Sequence, residues 1–111
     1  MEHLIDLDEL VDRLRTAADQ WRAHAEVGPF TWRDERAEWP QPIVTDRASV
    51  AVPESLGFWL HQDADREIHI VIWTGGWADV DTMEGALPTP DFRDVDGAVA
   101  AIVAIVDDFL A

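Results

Sequence analysis

The chain of 111 residues contains no cysteine, no lysine and no asparagine. Without cysteine there is neither a disulfide nor a thiolate metal site, so an apolar core must hold the fold together. Without asparagine there is no N-glycosylation acceptor. Arginine alone carries the positive charge, with eight residues against 23 Asp and Glu, and the formal net charge is −15. So acidic a surface repels nucleic acid phosphates and anionic lipid, and it attracts basic partners from a distance. This argues against direct binding to DNA, RNA or a membrane. Long apolar runs are also missing: Gly97 to Val106 is too short to cross a bilayer as a helix. The first ten residues show no positive region followed by an apolar one, so no signal peptide is expected and a cytoplasmic protein is the default. A hydrophobic fraction of 48% over this length gives one folded domain spanning residues 1–111.

What the chain does have is concentrated between Leu56 and Asp81. Three runs of β-branched and aromatic residues in near period-two order are separated by turn residues at Gln62 to Arg66 and at Thr74-Gly75-Gly76. They predict an antiparallel meander. Setting His61 opposite Glu67 puts Trp59 opposite His69, and setting Trp73 opposite Trp77 puts Val71 opposite Asp79. One face then carries Phe58, Leu60, Ile68, Ile70, Ile72, Ala78 and Val80, an aliphatic surface that needs cover. The other carries Trp59, His61, Glu67, His69, Trp73, Trp77, Asp79 and Asp81.

Around the meander, residues Asp6 to Val27 predict an amphipathic helix, capped by Asp6 with Glu9 three residues on. Its stripe is Leu7, Leu10, Val11, Leu14, Ala17, Ala18, Trp21 and Ala25. Gly28-Pro29 would stop it. Phe30 to Arg33 predicts a short strand, and Glu35 to Pro42 an irregular loop whose Trp39 could fold back over the sheet. Ala48 to Val52 predicts a strand ended by Pro53. Thr82 to Arg93, with Gly85, Pro88 and Pro90, predicts a connection. Asp94 then caps a second helix from Val95 to Leu110, so poor in polar residues that burial on more than one side is expected. The order gives an α+β fold: a two-layer sandwich in which an antiparallel meander of three to five strands is flanked by a long N-terminal helix and a C-terminal helix.

Candidate chemistry is sparse. His61 and His69 could share a sheet face with Glu67, Asp79 and Asp81, as ligands to a divalent ion or as a base with its orienting carboxylate. No local motif fixes their distances, so no catalytic residue, metal or cofactor is assigned. Asp63 to Glu67 lacks the glycine and the distant Glu of a calcium loop and fits a polar hairpin turn. The stronger signal is tryptophan. Three of the six lie in the meander, and Trp is the residue type most enriched at interface hot spots. Trp59, His69, Trp73, Trp77, Asp79 and Asp81 together suit a partner that presents Arg or Lys. The competing expectation is that these indoles lie beneath the 30–47 segment or in a homodimer interface.

At Ile70-Val71-Ile72-Trp73-Thr74-Gly75-Gly76-Trp77-Ala78-Asp79-Val80-Asp81 the chain resembles small immunity proteins of bacterial polymorphic toxin systems, nearest the TriTu type. There a strand ending in a Trp, Ser or Thr, Gly turn is followed by an acidic strand and a later helix. The resemblance covers the second half of the chain. It implies a cytoplasmic protein that neutralises a cognate toxin domain by stoichiometric binding, without chemistry of its own, and the acidic charge agrees with a basic toxin as that partner. Two other readings stay open: a secretion-type chaperone that dimerises around a client segment, and a small enzyme or ligand-binding protein using His61 and His69.

Overall fold

The computed structural model describes residues 1–63 and 65–111. Helix α1 (Leu7–Trp21) is followed by β1 (Glu26–Val27), β2 (Thr31–Asp34), a 3-10 turn at Arg47–Ser49, β3 (Pro53–Asp63), β4 (Arg66–Trp73), β5 (Trp77–Thr82), β6 (Gly85–Ala86) and α2 (Val95–Leu110). The strands form one antiparallel sheet in the order β1-β3-β4-β5-β6, with β2 beside β1 along the same edge of β3. Six strands thus stand where three to five were expected, because two short ones extend the edges.

Asp6 caps α1 by accepting from the backbone N–H groups of Asp8 and Glu9. Leu7, Leu10, Val11, Leu14, Ala18 and Trp21 of that helix are all buried. Asp94 caps α2 at Gly97 N–H, 2.7 Å away. The second helix buries one full stripe, Val95, Ala98, Ile102 and Val106, with half-buried residues on both flanks. Its exposed residues are Asp96, Ala100, Ala104, Asp107 and Asp108, which leave one face to solvent, so burial on several sides is not required. Both helices join the aliphatic sheet face in a single core, in which Leu60, Ile68, Ile70, Ile72 and Ala78 are fully inaccessible. Trp21 stacks on Phe58 with centroids 5.8 Å apart, and its indole N–H donates to Asp107 Oδ1 at 3.2 Å, joining the ends of the two helices.

Two sequence expectations are corrected. The first helix ends at Trp21, not Val27, because the edge of β3 offers a better partner: Glu26 pairs with His61 and Val27 with Leu60. Tertiary pairing there overrides helical periodicity. The strand expected at Ala48 to Val52 is instead a 3-10 turn capped by Asp46, with Ala48 N–H donating to its carboxylate at 3.0 Å. Pro53 opens β3 rather than ending a strand, a position where its missing N–H removes no ladder bond. The first turn of the meander, Gln62 to Arg66, includes Ala64, which lies outside the described residues.

Candidate functional site

The meander has the register that the sequence predicts. Trp59 pairs with His69, His61 with Glu67, Trp73 with Trp77 and Val71 with Asp79. Because successive residues of a strand point to opposite faces, Trp59, His69, Trp73, Trp77, Asp79 and Asp81 all stand on the face away from the helices. The three indoles there are half-buried, and His69, Asp79 and Asp81 are exposed.

Each indole is held in place. Trp73 and Trp77 stack with centroids 6.1 Å apart, and Trp73 Nε1–H donates to Asp79 Oδ2 at 2.9 Å. On the other side of Trp73 the Arg33 guanidinium lies 5.2 Å from the ring centroid, and it also donates to Ser55 Oγ at 3.1 Å. Glycines seat the other two rings. A Cβ on Gly28 would lie 2.1 Å from Trp59, and one on Gly75 would lie 2.4 Å from Trp77. Gly75 belongs to the three-residue turn Thr74-Gly75-Gly76, where Gly76 has φ +106°, the left-handed residue that such a hairpin needs. The buried Thr74 fixes this turn to the N-terminal segment: its carbonyl accepts from Leu4 and Ile5, and its hydroxyl donates to Ile5 O at 2.8 Å.

Within the 30–47 segment Arg33 lies against Trp73, but neither of the segment's own indoles covers this face. Trp39 is 86% exposed, and Trp32 points into the core at 2%. The rest of the segment is tied to the helical side. Val44 exchanges backbone hydrogen bonds with Trp32, and Arg47 makes a two-pronged contact with Asp8 at the start of α1, at 2.7 and 2.9 Å. The hydrogen bond from that guanidinium holds the Asp8 carboxyl below its ordinary pKa. Asp34 secures the same segment by accepting from the N–H groups of Ala51, Arg36 and Val52, which depress its pKa in that order of importance.

The histidines are engaged with carboxylates but not gathered. His69 Nε2 lies 3.0 Å from Glu67 Oε1, and His61 Nδ1 lies 4.0 Å from Glu26 Oε2. Among the described residues, no three of His, Asp and Glu converge as a metal would require, and no helix is long and apolar enough to cross a membrane. No family model, curated protein or solved structure matches this chain. Its function has therefore to be read from its own residues.

Sequence reasoning missed Arg33, Gly28 and the carboxylate of Asp34. Arg33 was accessible in principle: with Phe30 and Trp32 on one side of a strand, Thr31 and Arg33 must face the other way. Nothing local in the sequence marks Gly28 as a seat for Trp59, because that contact joins the end of β1 to β3, neighbours in the sheet that are far apart in the chain.

Proposed function

We propose that the face bearing Trp59, Trp73 and Trp77 binds a basic protein partner, and that the protein works by stoichiometric inhibition in the manner of an immunity protein against a toxin domain. The observation that carries this reading is the placement of three half-exposed, oriented indoles beside exposed Asp79 and Asp81, on a sheet face that neither helix covers. Indoles already fixed by glycine seats and stacking lose little rotamer freedom on binding, which lowers the ordering cost of an interface. The aspartates supply charge-assisted hydrogen bonds to Arg or Lys. Arg33 over Trp73 is an internal example of the cation–π contact that a partner's arginine would make on the same surface. In this reading His61 and His69 belong to the rim and do no chemistry, and the site of action is the cytoplasm.

The test begins with a pull-down from the native cell extract, followed by sizing of the complex and titration of the co-purifying protein with variants. A one-to-one complex with a basic protein is expected. Trp73→Ala should weaken it by about 2 kcal/mol, the scale of an interface hot spot. Asp79→Ala should do less, and mainly through the association rate. A folded Trp73→Ala, Asp79→Ala double variant with unchanged affinity would overturn the proposal.

A further inference from the structure

A second surface, away from the indoles, carries an inference of its own. At the far end of the meander a cleft of about 310 Å³ opens between the last turns of α2 and the β4–β5 strands. Its apolar part is Ile68, Met83, Leu87, Ile105 and Phe109. Met83 is 62% and Leu87 41% exposed, so both leave apolar surface in water within the cleft's lining. Asp65, Glu67, Glu84 and Asp108 surround it.

The cation in that lining is already in use. Arg66 donates from Nε to Gln62 Oε1 at 2.8 Å and from a terminal nitrogen to the carbonyl of Phe109, with its guanidinium 4.8 Å from the Phe109 ring centroid. It therefore serves as a wall and as a cap for α2, whose last turn contains no basic residue of its own. Both of its acceptors are neutral, so its single positive charge is set against four carboxylates, and the rim stays net negative beside the C-terminal end of α2.

From this combination we infer that the cleft docks a short basic amphipathic segment of another protein, with an apolar side chain between Met83, Leu87, Ile105 and Phe109 and flanking Lys or Arg on the acidic rim. Charge complementarity selects this occupant. A second copy of the chain would bring like charge to the rim, and an anionic ligand would meet four carboxylates against one guanidinium. The inference is judged apart from the indole face, which lies across the sheet from the cleft's inward-facing Ile68, although Glu67 of the rim stands on that outer face beside His69.

The test uses a synthetic peptide with Leu at helical spacing and Lys elsewhere, titrated into the isotopically labelled full chain at moderate salt and followed by amide chemical shifts. A peptide of identical charge with Ser in place of Leu is the control for plain electrostatic attraction. Saturable shifts should concentrate at Ile68, Leu87, Ile105 and Phe109. The Ser peptide, and the Met83→Ser, Leu87→Ser double variant, should each bind about tenfold more weakly or worse, because an apolar side chain then loses its burial. Both substituted residues are exposed, so the fold should persist, and the variant's own amide spectrum checks this. Equal binding of the two peptides, shifts spread over the acidic surface of α1, or shifts centred on the indole face would each overturn the inference. Failure here would leave the indole reading untouched, since that one is judged on Trp73 and Asp79.

Discussion

Strands β3 and β4 present two surfaces built from neighbouring residues, and they are held in different ways. Phe58, Leu60, Ile68, Ile70 and Ile72 face the helices and are almost wholly inaccessible, fixed by close packing on every side. Trp59, Val71 and Trp73 alternate with them and remain half-exposed. Their rigidity comes from below and beside: Gly28 under Trp59, Arg33 and Trp77 against Trp73, and Asp79 on the Trp73 N–H. A large apolar group can thus be kept in one orientation without being buried, if backbone and polar neighbours take the place of a core. The outer surface keeps oriented apolar area in contact with solvent, whereas the inner one is already satisfied.

The sharpest way to break the comparison is to truncate adjacent residues on opposite faces. Ile70→Ala should cost about 3 kcal/mol by opening a cavity in the core. Val71→Ala should cost under about 1 kcal/mol, as expected of a partly solvated sheet position. Denaturant titration of both variants measures the difference. Equal losses would mean that the outer face is packed in solution, as in a dimer, and would remove the distinction between the two faces.

A smaller effect tests the glycine seat. Gly28→Ala introduces a Cβ where the Trp59 indole lies and should destabilise by about 1 kcal/mol, at the low end for overpacking because the ring can move toward solvent. In a Gly28→Ala, Trp59→Ala double variant the clash disappears, so the two costs should fall well short of adding. Strict additivity would show that Gly28 does not position the ring.

Much of this architecture is legible in the order of the residues alone. Period-two alternation with two short turns fixes the register from Trp59 to Asp81, since a slip by one residue would send Ile68, Ile70 and Ile72 into water. Asp6 and Asp94 mark the helix starts for an equally local reason. What the sequence conceals is non-local. Glu26 and Val27 continue a helical pattern, yet they are drawn to the open edge of β3. Val50 and Val52 alternate like a strand, but Asp34, far back in the chain, captures the N–H groups of Ala51 and Val52. The candidate site divides in the same way. Which side chains share its face follows from alternation, whereas whether that face is open depended on where the 35–52 segment docks.

That docking yields the smallest effect, and it is pH-dependent. Asp34 in the folded chain has its pKa lowered by backbone N–H groups that favour the ionised carboxylate. The unfolded chain therefore takes up the proton more readily, and the stabilisation from this group is complete above the ordinary aspartate range and is lost as pH falls through the lowered folded value. Asp8, lowered by Arg47, acts in the same sense. Asp34→Asn should make the acid side of the stability profile flatter, from roughly pH 5 downward, where the unfolded aspartate begins to titrate. It should also speed hydrogen exchange at Ala51 and Val52. Unchanged exchange would mean that the buried Val50 and the Trp32–Val44 pairing hold the segment without Asp34. Tryptophan emission of the same variant at neutral pH then probes the comparison itself. It should match the parent, because the segment is bound to the helical side. A blue shift would mean that, once loosened, the segment lies over Trp59 or Trp73, so that the openness of the outer face depends on a single carboxylate.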